Sequence, residues 1–285
     1  MKVIKAIGVA AGIMLSFGAM AQQVSTTQSS NPSARPIPES DVLFKKTVWR
    51  KIDLREKQNR PMFSENREIT KIIINAVKSG ELVAYKTDSV NVPMTTQEFL
   101  ENMTQKDTGG GLTEEEIAAG FGKDEEEEDA WGEALGSQAT ADAAPVSNEY
   151  FAKQLYLLEM KENVVFDKKR SRMYHDIQTI SIKVPSTLNA LGFESNVGSF
   201  KMSDLVRVFR NNPELAIWYN AQNDAQHKNL ADAFDLWLFS SYITKISNPG
   251  DRALGDIYGG GKKGLLAAQD ALEALIEYEY SLWSY

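Results

Sequence analysis

Three places in the chain bring together residue types that could do chemistry. The string Gly259-x-Gly261-x-x-Gly264 matches a dinucleotide-binding fingerprint. There the glycines let a turn close on a pyrophosphate at a helix N-terminus, after a strand and about 20 residues before a ribose-binding acid. A helix can follow, and Glu277 or Glu279 lies near that distance. The rest of the context is wrong. Too few residues follow Gly264 for a second strand, and Gly255 and Asp256 interrupt the strand that should precede it. The stretch reads as a loop before a terminal helix. Neither Lys262 nor Lys263 has the glycine spacing and following Ser or Thr of a phosphate-binding P-loop. Asp224 and His227 are three residues apart, a spacing that puts two metal ligands on one helix face, but no second His-containing pair completes a site. His175 precedes Asp176, yet no G-x-S-x-G elbow supplies a nucleophile, so a structural polar histidine is expected.

Composition narrows the chemistry further. The chain has no cysteine and two histidines, which removes thiolate metal sites, thiol nucleophiles and disulfides, and leaves little for His-based catalysis. The 39 Asp and Glu residues allow many carboxylate pairs, and no spacing selects one for a hydrolase. Asp124 to Asp129 lacks the glycine and alternating ligands of an EF-hand loop, so it reads as a solvated acidic run. No catalytic, metal-binding or cofactor-binding residues are therefore expected.

Aromatic side chains are more informative. Tyr280, Trp283 and Tyr285 crowd the C-terminus with polar spacers, and Trp131 sits in an otherwise acidic stretch beside Ala134 and Leu135. Such groups serve either a core or a protein-binding surface. These four residues are the candidate partner-binding positions.

The elements that must position them are uneven along the chain. Residues 1–21 have the form of a signal peptide, with Lys2 and Lys5, a small apolar run from Ala6 to Ala19, and Ala19-Met20-Ala21 as the cleavage site. Cleavage near Ala21 implies an exported protein, with no lipidated cysteine and no direct membrane insertion. Residues 22–40 are a flexible leader rich in Ser, Thr, Gln and Pro. Residues 41–105 form a first α+β part, 106–148 an acidic insertion and 149–285 a second α+β part. Lys106 to Ser147 holds 12 acidic and 2 basic residues, so the body outside it is close to neutral and carries no basic footprint for nucleic acid. The insertion has too few apolar groups to fold by itself and is expected to be disordered.

Within the body, Thr47 to Arg55 fits a strand through Val48, Ile52 and Leu54, interrupted by Arg50, and also fits a helix. Arg67 to Ser79 carries a helical stripe ending at Gly80. Leu82 to Thr87 suits a short strand. Thr95 and Glu98 form a capping box. Gln154 to Phe166 and Ile177 to Val184 read as a hairpin around a polar turn at Lys168 to Arg172. Ser203 can cap a helix bearing Leu205, Val208 and Phe209, and Ala216 to Tyr219 suits a short strand. One long helix is expected from Lys228 to Ile246. A last helix from Gly264 to about Trp283 places Leu265, Leu272, Leu275, Ile276 and Leu282 at helical spacing. The fold class is α+β: mainly antiparallel strands packed with amphipathic helices, interrupted by the disordered acidic insertion.

Longer strings then stand out. Thr47-Val-Trp-Arg-Lys-Ile-Asp-Leu-Arg-Glu-Lys-Gln-Asn-Arg-Pro61 resembles the opening signature of the PorN/GldN family. Gly80-Glu-Leu-Val-Ala-Tyr-Lys-Thr-Asp88 is similar to its next block, and Gln154 to Asn163 with Met173-Tyr-His-Asp-Ile177 to a third. The resemblance covers Asp41 to about Tyr258. It implies a non-enzymatic structural subunit of a large periplasmic ring in the type IX secretion and gliding-motility machinery. The implied partners are an outer-membrane lipoprotein of the PorK/GldK type, further copies of the same subunit, and PorL/PorM-type motor proteins. The competing expectation is a periplasmic ligand-binding protein or a carboxylate-dependent cell-wall hydrolase.

Overall fold

A computed structural model describes residues 32–105, 149–189 and 192–282. The expected signal peptide, the acidic insertion, Trp131, Trp283 and Tyr285 lie outside the described residues. In chain order the elements are β1 (Val42–Asp53), β2 (Phe63–Ser64), β3 (Arg67–Glu68), α1 (Ile69–Lys78) and α2 (Thr96–Met103). After the insertion come β4 (Leu157–Asp167), β5 (Arg172–Val184), β6 (Ser195–Lys201) and α3 (Met202–Asn211). The chain closes with β7 (Ile217–Trp218), β8 (Lys228–Asn229), α4 (Leu230–Asp235), β9 (Tyr242–Ile246), α5 (Leu254–Tyr258) and α6 (Lys262–Leu282).

Five strands form one sheet in the order β6-β5-β4-β1-β9, and every pairing is antiparallel. The fold is α+β. β1, from before the insertion, lies between β4 and β9, from after it. β1 is a strand because Val48, Arg50 and Ile52 alternate inward while their neighbours stay half-exposed. Arg50 does not interrupt that face; it is part of it. The β4–β5 hairpin turns at residues 168–171, with Ser171 at φ 51°.

One face of the sheet carries two apolar clusters. In the larger, Ile52, Leu158, Met160, Ile180, Ile182 and Phe200 meet α1, α2, α3 and α4 through Ile73, Phe99, Leu205, Phe209 and Phe234. Each such side chain contributes roughly 1.5–3 kcal/mol by leaving water. In the smaller, Val48, Val164 and Ile243 meet Leu254 of α5 and Ala267 and Ala268 of α6. Val48 and Ile52 flank Arg50 on β1, and Val164 and Met160 flank Glu162 on β4. A polar belt therefore separates the two clusters.

Local signals explain several boundaries. α1 ends where Gly80 takes φ 77°, the left-handed conformation a helix stop favours. α2 begins in a complete capping box: Thr95 Oγ1 accepts from Glu98 N, and the Glu98 carboxylate accepts from Thr95 N.

Other expectations are corrected. α3 starts at Met202 with Lys201 as its N-cap, continuous with β6, so Ser203 lies inside the helix. The 82–87 segment is no strand. Its only rungs are isolated bridges from Tyr85 to Ser199 and Pro93, because the chain must leave the sheet edge to carry Asp88 onto the opposite face. The long helix over 228–246 is broken. α4 stops at Asp235 in a Schellman end, with Leu238 N bonding Ala233 O and Trp237 N bonding Phe234 O. Trp237 takes the left-handed position at φ 54°, where glycine is usual. Residues 242–246 then pair with β1 as an edge strand.

The glycine string also has a structural use. Gly259 (φ 99°) and Gly261 (φ 66°) turn the chain between α5 and α6. A Cβ on Gly264 would sit 3.1 Å from the carbonyl oxygen of Gly259 and 3.4 Å from Gly255 Cα. The glycines let two helices close tightly on each other.

Candidate functional site

The polar belt is the most highly organised group of charges in the described chain. Arg50 Nε donates to Glu162 Oε1 at 2.6 Å, and the two side chains are 5% and 0% exposed. The other Glu162 oxygen lies 3.2 Å from His175 Nδ1. The Trp237 ring covers both partners of Glu162, 5.6 Å from the Arg50 guanidinium and 4.9 Å from the His175 ring. Packing of that ring also accounts for the backbone of Trp237: contact with Arg50, His175 and Phe239 holds a bulky residue at positive φ.

A second polar group sits on the opposite face of the sheet. Trp49 Nε1 donates to Asp88 Oδ2 at 2.7 Å, and Lys161 Nζ approaches the same oxygen at 3.2 Å. Lys245 stacks over the Trp49 ring at 4.1 Å. Burial pushes the Asp88 carboxyl up, but the Trp49 indole N–H and the Lys161 charge outweigh it and hold it below the usual carboxylate range.

A third interaction ties the loop after α4 to β1. The Asn59 side chain is fully buried. It donates to the carbonyls of Asp53 and Ser240 and accepts from Ser240 N at 2.7 Å. One amide thus replaces a missing rung of backbone pairing and fixes where β9 starts.

These groups share an origin. Trp49, Arg50 and Asn59 belong to the first signature segment, Asp88 to the second, and Glu162 and His175 to the third. The chain folds so that the distinctive segments meet as bonded partners on both faces of one sheet.

The remaining candidates are placed as follows. His227 Nδ1 accepts from Asn220 N, and Asp224 starts a short 3-10 turn that ends before His227, so the two do not share a helix face. No group of three or more His, Asp or Glu residues that could hold a metal occurs among the described residues. Tyr280 lies on α6 and is 77% exposed. Two open clefts of about 410 Å³ flank residues 34–38, and Asp176 lines both. Asp176 accepts from the Ser33 hydroxyl and from Gln178 Nε2; burial nevertheless pushes its carboxyl above the usual range. No described helix is long and apolar enough to cross a membrane.

The model of the family described as gliding motility associated protein GldN matches residues 37–284. The chain belongs to the GldN family. That makes it a component associated with gliding motility and type IX secretion, in a family not known as enzymes. No curated protein matches the chain. The match spans all three signature segments and the polar groups they build. Sequence reasoning recognised those segments but not their meeting points: Arg50 and Glu162 are 112 residues apart, and nothing local marks them as a pair.

Proposed function

We propose that this chain is a non-enzymatic structural subunit of a large periplasmic ring. An outer-membrane lipoprotein of the PorK/GldK type would hold it beneath that membrane, with PorL/PorM-type motor proteins reaching it from the other side. The ring would support type IX protein secretion and, in gliding species, motility. The GldN match over nearly the whole body carries this reading. Three features support it. The N-terminal 21 residues have the pattern of an export signal. The chain has no cysteine to carry a lipid, which fits a subunit held by a lipoprotein partner. The described surface carries large apolar side chains on its last helix, the kind of surface an assembly covers. The buried carboxylate Glu162 has both oxygens engaged by Arg50 and His175, which suits a structural role better than a hydrolase's paired acids.

Fractionation of envelopes with and without the lipoprotein tests this reading. The expected result is an outer-membrane-associated protein that is released or degraded when the lipoprotein is missing. A periplasmic protein whose amount and location ignore the lipoprotein would favour the ligand-binding or hydrolase alternative.

A further inference from the structure

The last helix uses two faces differently. Its inward face is built from small residues: Ala267 and Ala268 are buried, and Ala271 and Leu275 pack beside them against Val48, Val164 and Ile243. Apart from Leu275, its large aliphatic residues point elsewhere. Leu265 is 61% exposed, Leu272 37% and Ile276 50%. At about 100° per residue, Leu265, Leu272 and Ile276 fall within roughly 40° of one another, a stripe three turns long. Single exposed leucines are ordinary, but an ordered stripe is a contact surface.

The charges of α6 identify the occupant. Its first turn holds Lys262 and Lys263 and no acid, its last turn holds no base, and Asp270, Glu273 and Glu277 fill the later part. This order opposes the helix dipole, which favours acids at the N-terminus and bases at the C-terminus. Lys262, Lys263, Asp270 and Glu277 form no ion pair among the described residues. Lys262, Glu273 and Glu277 also lie on the same flank of the apolar stripe. In an antiparallel helix pair, equivalent flanks face each other. A reversed second copy therefore sets its acidic half beside the basic first turn. In a parallel pair equivalent flanks lie on opposite sides of the seam, so Lys262 and Glu277 would not meet.

We infer that α6 is a docking surface for a second copy of this chain, paired antiparallel through Leu265, Leu272 and Ile276. In the register that opposes Leu265 to Ile276, Lys262 comes within a turn of the partner's Glu277. The contact is two-fold, so each copy uses the same patch. A ring closes through head-to-tail contacts, so this pairing adds to the ring reading and does not depend on it. The stripe is smaller than the ~800 Å² per partner of a stable interface, so the pair is weak by itself and is best trapped covalently.

The absence of native cysteine makes the test clean. The full exported chain carrying Leu265→Cys and Ile276→Cys is oxidised mildly. Within one helix the two sites are ~16 Å apart, beyond the roughly 7 Å limit between Cα atoms for a disulfide. The expected result is a disulfide-linked dimer in the double variant at several times the yield of either single variant. Adding Lys262→Glu should cut that yield several-fold, and adding Glu277→Lys to that variant should restore it. Equal dimer yields from single and double variants would mean parallel or random contact and would overturn the proposal. So would no dimer from a double variant that still melts within a few degrees of the parent. Loss of the lipoprotein partner with the cross-link intact would count against the ring reading alone.

Discussion

Replacing Glu162 with glutamine should be among the most damaging conservative changes in the protein. The carboxylate is fully buried and the Arg50 side chain is 5% exposed, so the pair has little water to fall back on. Glutamine leaves the guanidinium buried against a neutral amide. Removing one partner of a buried pair costs about 3–5 kcal/mol. For a chain of this size, 1 kcal/mol corresponds to about 2–4 °C, so Glu162→Gln should melt roughly 6–20 °C lower. The double change Arg50→Met with Glu162→Leu removes both charges and lets the two apolar clusters join beneath Trp237. Such replacements are often neutral or stabilising, and His175, 37% exposed, can turn its ring to water. The double variant should therefore recover most of the loss. Thermal unfolding of the purified chain, followed by circular dichroism and repeated in urea, reads both effects. A glutamine variant within about 2 °C of the parent would show that the pair is not a buried one in energetic terms, since a loss below ~1 kcal/mol is that of an exposed pair. A double variant as unstable as the single one would show that the belt cannot be replaced by packing.

Two further outcomes follow from the geometry. A Cβ on Gly198 would lie 3.1 Å from two ring carbons of Phe99, which is itself fully buried against Phe200. Gly198→Ala should cost about 1–3 kcal/mol by urea titration, while Gly260→Ala, which meets open space, should stay within about 0.5 kcal/mol. Burial raises the Asp176 carboxyl pKa above its unfolded value, so its ionised form opposes folding once the pH exceeds the folded pKa. That opposition vanishes as pH falls toward the unfolded value near 4. Asp176→Asn should therefore melt higher than the parent at pH 7.5, by no more than about 1 kcal/mol because water screens the site, and the gain should shrink by pH 4. Equal melting temperatures at both pH values would contradict it.

Local signals in the sequence carry much of this fold. The stripe of α1, the capping box of α2 and the alternation of β5 each state their element within a dozen residues. The expected helix over 228–246 failed because Leu230, Ala233, Phe234, Trp237, Leu238, Ser241 and Tyr242 keep a helical period by coincidence. What stops it is distant: Asn59 brackets Ser240, and Arg50 and His175 hold the Trp237 ring. Arg50 looked like a flaw in an apolar alternation because its partner comes from β4. In α6 the leucine spacing announced a helix, yet the alanines mark the buried face. Spacing fixes a helical period without saying which stripe faces the sheet. Gly264 and Ala267 were the clue, since only small residues allow α6 to approach this closely. Among the partner-binding candidates the described residues place only Tyr280, on the exposed side of that helix.

A subunit of a large lipoprotein-anchored assembly should come out of the envelope together with it. The most direct measurement is to capture the tagged full-length protein from its own envelope in mild detergent, then determine particle mass and composition by light scattering and mass spectrometry. The expected result is a particle many times the mass of one 31.7 kDa chain, with a lipoprotein in near-equal amount. A captured species of monomer mass with no lipoprotein would contradict it.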